Sequence, residues 1–229
     1  MKKKNNSTFI AIIISGLIIS GAILISGNEN LANQNINQQI DSEERVVTDS
    51  RVNMDNIQLE NWSSLGNPEA PVVMVEYSDF ACPYCGRFFD ETLPEIKENY
   101  IDSGEVFFIY KDLGVVGGDK AAEAAHCAGE QDSYWEYHDL LFERSNQDRG
   151  RWSDSSTHAG YAEELSLNKE MIVTCFEEAR YSEKVQNSTD EAISLGITGT
   201  PGFVINGEIV KGAQPYQVFE QIIEEKLSN

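Results

Sequence analysis

The pattern that most restricts this chain is a short buried strand running into a closely spaced cysteine pair. Val72, Val73, Met74, Val75, Glu76 and Tyr77 form a nearly continuous apolar run, suited to a strand covered on both faces. Cys82-Pro83-Tyr84-Cys85 follows shortly after. From Pro83 to about Tyr100, the residues Phe88, Phe89, Leu93, Ile96 and Tyr100 recur near helical spacing, and Pro94 inside that pattern predicts a kink. The turn at Ser103-Gly104 then leads into a second apolar run, Val106 to Tyr110. Strand, helix and strand in so short a stretch make a βαβ unit, with the cysteines where the first strand gives way to the helix.

That position has chemical consequences. A cysteine at a helix N-terminus has its thiolate favoured by unpaired backbone N–H groups and by the positive end of the helix dipole, and Cys82 fits that place. Cys85, one turn on, is placed to attack a mixed disulfide at Cys82 and release the partner. Pro83 suits the first turn, where its missing donor is no loss. Glu76 stands in an otherwise apolar strand. It is either a strand-end residue facing solvent or a buried carboxyl with a raised pKa, able to shuttle the Cys85 proton. Two other readings of the pair are half of a zinc site and a purely structural link. For zinc, Cys127 and Cys175 would have to supply the remaining ligands, and they lie in separate helical patterns without metal-like spacing. The expectation is no metal and no cofactor.

Between Lys120 and Leu195 only helical patterns occur: an Ala-rich stretch around Cys127, then Tyr134–Arg144, Thr157–Leu165, Lys169–Ala179 and Tyr181–Leu195. His126 and His138 sit in these patterns among core residues and read as packing histidines, with ligand or base as the alternative. Phe203-Val204-Ile205 and Glu208-Ile209-Val210, joined by Asn206-Gly207, predict a hairpin, and Tyr216–Leu227 predicts a closing amphipathic helix. Thr200-Pro201 precedes the hairpin; an X-Pro bond there is either cis, exposing backbone polar groups at a tight turn, or an ordinary trans loop. The expected class is α/β, one domain with an all-helical insert at about 120–195 between the βαβ unit and the C-terminal hairpin and helix.

Glu76 to Cys85, read as EYSDFACPYC, with Gly199-Thr200-Pro201-Gly202 much later, resembles the DsbA-like branch of the thioredoxin superfamily over roughly residues 65–229. The resemblance implies a thioredoxin fold and a thiol–disulfide oxidoreductase with Cys82–Cys85 as its redox disulfide. It implies Pro83 and Tyr84 as the active-site dipeptide and Glu76 as the acid implicated in proton transfer. It also implies that Thr200 and a cis Pro201 face the disulfide and bind extended substrate. Cys127 and Cys175 resemble an additional insert disulfide found in some members, against the alternative of two free buried thiols; such a bridge would contribute roughly 4 kcal/mol by loop entropy. One departure is Tyr84, where the strongly oxidising members carry histidine. That substitution puts a very oxidising potential in question.

The resemblance further implies a dithiol oxidase acting on exported cysteine-containing client proteins and regenerated by a membrane quinone-linked partner, DsbB-like or vitamin K epoxide reductase-like. An extracytoplasmic reductase or isomerase, and a non-catalytic membrane-tethered chaperone module, are the competing readings. Location follows from the N-terminus. Lys2, Lys3 and Lys4 precede an apolar run from Phe9 to Ile25, as in a signal anchor. Residues 1–27 are expected to anchor the chain with the remainder outside the cytoplasm, where disulfides persist; cleavage after Gly27 and secretion is the alternative. Residues 28–64 are polar and read as a flexible spacer. The net charge of −21, to which the three N-terminal lysines contribute +3 so that the rest of the chain is more acidic still, excludes nucleic acid as a partner class.

Overall fold

A computed structural model describes residues 47–228. The expected anchor at 1–27 and the first part of the expected spacer, 28–46, lie outside the described residues.

Six strands form one sheet in the order β1-β6-β5-β3-β4-β2. They are β1 (Val47–Arg51), β2 (Ser63–Leu65), β3 (Val72–Ser78), β4 (Val106–Asp112), β5 (Gly202–Ile205) and β6 (Glu208–Lys211). β3 and β4 are parallel and in register from Val72 opposite Val106 to Ser78 opposite Asp112; the other pairings are antiparallel. Both faces of β3 are covered, which is why its sequence reads as a continuous apolar run. Val72 and Met74 join the larger core with Phe108 and Tyr110, whereas Val75 and Tyr77 join a smaller one with Ile109, Val204 and Ile209.

The spacer reading fails over 47–64. β1 pairs with β6 and β2 pairs with β4, so this stretch supplies both edge strands, and Ile57 between them is buried in the smaller core. The amines of Lys111 and Lys184 lie 4.7 and 4.5 Å from the centre of the Trp62 ring. Edge strands are held chiefly by backbone hydrogen bonds along one side and tolerate polar residues, so composition conceals them.

The helices follow in chain order: α1 (Pro83–Arg87), α2 (Leu93–Ile96), α3 (Asp119–Gly129), α4 (Tyr134–Asp148), α5 (Ser155–Glu164), α6 (Lys169–Glu177), α7 (Ser182–Ser194) and α8 (Tyr216–Leu227). A π turn at Phe88–Thr92 joins α1 to α2 and a second, Lys97–Ile101, follows α2. The kink expected from Pro94 is thus taken up by a π turn just before it, where the widened spiral accommodates a residue without a backbone donor. Helices α3 to α7 make the insert. In the hairpin, Asn206 (φ 43°) and Gly207 (φ 87°) supply the two positive angles that a tight two-residue turn between twisted strands requires.

Candidate active site

β3 delivers the site. Past Ser78 the chain turns through Asp79, Phe80 and Ala81 into α1, with Cys82 at the N-cap in extended conformation and Pro83 in the first turn. Asp79 holds this turn. Its Oδ1 accepts from Ala81 N–H at 2.8 Å, and its Oδ2 accepts from Val116 N–H at 2.7 Å and Gly117 N–H at 3.2 Å. Its backbone oxygen accepts from Cys82 N–H at 2.9 Å. One carboxylate thereby ties the loop entering α1 to the loop leaving β4. Gly118 is required beside it, because a β-carbon there would overlap the carboxylate and come within 2.9 Å of the Phe80 and Ala81 nitrogens.

Cys82 and Cys85 are free thiols, Cys82 at 6% exposure and Cys85 fully buried. The Cys82 thiol donates to the Thr200 carbonyl oxygen at 3.3 Å, and the Thr200–Pro201 peptide is cis. Cys82 is pulled down to about pKa 5. The hydrogen bond from the Cys85 thiol contributes most, burial opposes it, and the Thr200 hydroxyl and the Cys85 and Tyr84 backbone N–H groups add to it. Cys85 moves the other way, raised by burial first and then by giving its proton to Cys82. Two thiols one turn apart therefore have opposite acidities, one suited to attack as a thiolate and the other to keeping its proton until it is needed.

Glu76 is buried at 2% exposure on β3, not solvent-facing. Burial pushes its carboxyl up to about 8; the nearby Ser78 hydroxyl opposes that rise and the Cys82 charge adds to it. At neutral pH it is mostly protonated. Ser78 was not legible as a site residue, although a hydroxyl two residues beyond Glu76, on the same strand face, was a usable signal. Asp79 was missed too, since a lone acid before a helix reads as an ordinary turn residue. Tyr84 is exposed at 59%, with the Arg87 guanidinium 5.2 Å from its ring centre. Val115 and Val116, on the loop that Asp79 fastens, are also exposed.

Cys127 on α3 and Cys175 on α6 are disulfide-bonded, 48 residues apart in sequence and buried. Bonded to each other, they are unavailable as metal ligands beside Cys82 and Cys85, and among the described residues no cluster of three or more His, Cys, Asp or Glu side chains is placed to hold a metal. His138 is packed among Phe80, Phe89, Tyr110 and Phe142, and burial lowers its pKa. His126 Nε2 is 2.7 Å from Asp112 Oδ2 in the core.

Residues 59–225 match the family model described as Thioredoxin. A probable disulfide bond formation protein D of Bacillus anthracis is 35% identical over 162 residues, covering 64% of this chain and 70% of that protein. A Na(+)/H(+) antiporter NhaA 3 of Salinispora tropica is also 35% identical over 157 residues, 67% of this chain, but the chain spans only 22% of that protein's length. The crystal structure of Wolbachia pipientis alpha-DsbA1 superimposes with a TM-score of 0.68 at 28% identity, covering 75% of this chain and 94% of that one.

Proposed function

The chain belongs to the thioredoxin family in its DsbA-like branch and is a protein-disulfide oxidoreductase, and from that premise we propose that it is an extracytoplasmic dithiol oxidase whose working disulfide is Cys82–Cys85. The observation that carries this reading is the Cys82 sulfur at the N-cap of α1, where the Cys85 thiol and the Tyr84 and Cys85 backbone N–H groups favour its thiolate. A stabilised thiolate favours the reduced pair, and so makes the oxidised pair readier to give its disulfide away.

In the forward step a client thiolate attacks the sulfur of Cys82, the disulfide electrons pass to Cys85, and Glu76 gives Cys85 a proton. A second client thiolate then attacks the client sulfur of the mixed disulfide, which leaves the client oxidised and Cys82 as a thiolate. Thr200 and Pro201 border the sulfur where the client backbone would lie, and Tyr84, Val115 and Val116 offer it apolar contact. The clients are exported proteins with cysteine pairs. A membrane quinone-linked thiol oxidase resembling DsbB or vitamin K epoxide reductase takes the electrons onward, and the N-terminal apolar run keeps both partners near the membrane. The relatives named for disulfide bond formation support this direction.

Tyr84 favours a second reading. It brings no cationic group to the thiolate, so the potential is less oxidising than a histidine would make it and the protein works as a reductase or isomerase. Mixing the oxidised protein with a reduced, unfolded client carrying one cysteine pair separates the two. The oxidase transfers its disulfide stoichiometrically within the mixing experiment; a reductase leaves that client reduced and instead, once reduced itself, opens the client's disulfide.

A further inference from the structure

Two arginines stand at the cysteine motif, and the exchange steps above give neither a part. Arg87 is held twice: its Nη2 donates to the Ala213 carbonyl oxygen at 2.7 Å, and its guanidinium lies 5.2 Å from the centre of the Tyr84 ring. Ala213 follows Gly212, whose N–H donates to the Pro201 carbonyl oxygen at 2.8 Å, so Arg87 joins α1 to the loop bonded to the cis proline. Arg149, just past the end of α4, donates from Nη1 to the Ala81 carbonyl oxygen at 3.4 Å, the oxygen of the peptide that leads into Cys82. Both side chains are exposed. The chain has 38 acidic side chains against 17 lysines and arginines, so carboxylate partners are in ample supply, yet neither arginine forms an ion pair among the described residues. Asp148, next to Arg149, is engaged by Arg151 at 3.5 Å and by the Tyr161 hydroxyl at 2.9 Å.

We propose that Arg87 and Arg149 select, as clients, extended segments that carry an acidic residue close to the reactive cysteine. The inference rests on the client-oxidising reading and names a class of client within it. A guanidinium presents several N–H donors in one plane; each of these two uses one nitrogen on a backbone oxygen and keeps the others for a carboxylate. The backbone bond places the group beforehand, so less side-chain freedom is lost when the carboxylate arrives. A client lying along Thr200 and Pro201, with its cysteine at the Cys82 sulfur, meets one guanidinium on the loop bonded to Pro201 and the other on the peptide entering Cys82. An extended chain advances about 3.3 Å per residue, so the acids addressed are those within roughly three residues of the cysteine. An acid beside a client cysteine holds that thiol protonated and slows its attack; a guanidinium on the acid offsets the charge and lets the thiolate form. The thiolate bonds to the Cys82 sulfur as the Cys82–Cys85 bond breaks, and Cys85 takes the electron pair. The arginines exchange neither proton nor electron. The acidic body repels such a client elsewhere, which confines the attraction to the motif.

The test uses the oxidised full chain and short peptides, each with one cysteine pair flanked by Asp, by Ser or by Lys. Acid quenching and alkylation give the rate at which each peptide is oxidised. Dividing by the rate of the same peptide with 2-hydroxyethyl disulfide, a neutral small disulfide, removes the effect of the flanks on the thiol itself. The Asp-flanked peptide is expected to exceed the Ser-flanked one by about 5-fold at low salt, with the preference shrinking as salt is added. Arg87→Gln combined with Arg149→Gln should abolish the preference, and Arg87→Lys combined with Arg149→Lys should keep part of it. No preference in the unaltered protein overturns the proposal, as does a preference for the Lys-flanked peptide, which would mean that the acidic body governs approach. A preference that survives the glutamine pair, or that is lost equally in the lysine pair, overturns it as well. Failure of the underlying redox reading is separately visible, because the unaltered protein would then oxidise none of the peptides.

Discussion

The thiol of Cys82 donates to the carbonyl oxygen of Thr200 at 3.3 Å, bringing together residues 118 apart in sequence. The start of α1 and the approach to β5 thus converge on one sulfur, while Cys85 sits fully buried behind it. An incoming thiol meets Cys82 first.

From that asymmetry, Cys85→Ser is expected to accumulate mixed disulfides through Cys82, because the resolving thiol is gone. Non-reducing electrophoresis and mass spectrometry of the trapped species check this. The Cys82→Ser variant should trap none.

The acidity of Cys82 can be followed directly. With its thiolate favoured down to about pH 5, alkylation of the reduced protein should be half-maximal near that pH and level by pH 7. Cys85, held protonated by burial, should stay unreactive throughout. A midpoint near the ordinary thiol value of 9.0 would remove the basis for Cys82 as the attacking group.

Glu76 gives a stability prediction with a definite sign. Its folded-state pKa of about 8 lies above the ordinary 4.5, so its stabilising contribution is whole below 4.5 and is lost as pH rises to about 8. Glu76→Gln should match the unaltered protein near pH 4.5 and exceed it above pH 8 by roughly a few kcal/mol, measured by urea unfolding of the reduced forms.

Much of this was legible because covered strands and amphipathic helices leave strong side-chain patterns. Val72–Tyr77, Val106–Tyr110, the Asn206-Gly207 turn and the insert helices all emerge within a few residues of their positions. β1 and β2 did not, since they are edge strands whose partners, β6 and β4, are remote in sequence and whose hydrogen bonds are backbone. The cysteines and Glu76 could be named from strand–helix spacing. Asp79 could not, because its role depends on the N–H groups of Val116 and Gly117, which only the folded chain brings beside it.

Asp79→Ala removes the acceptor of three backbone N–H groups at once. The variant is expected to lose roughly 2 kcal/mol or more and to raise the midpoint of Cys82 alkylation, because the turn presenting the sulfur loosens. Urea unfolding and the alkylation profile together check it.

The Cys127–Cys175 bond ties α3 to α6. Replacing both by alanine should cost roughly 4 kcal/mol in unfolding free energy, more than Cys85→Ala, and leave the pH profile of Cys82 alkylation in place. Loss of that profile would mean that the bridge also shapes the site.

The most direct test of the oxidase reading is the equilibrium potential of Cys82–Cys85, obtained by poising the protein in graded glutathione buffers and counting the two thiols by alkylation. The stabilised Cys82 thiolate predicts a single two-electron transition at or above about −180 mV, in the range of protein disulfide isomerase. A transition near about −270 mV, the range of thioredoxin, would contradict the oxidase and make the protein a reductase.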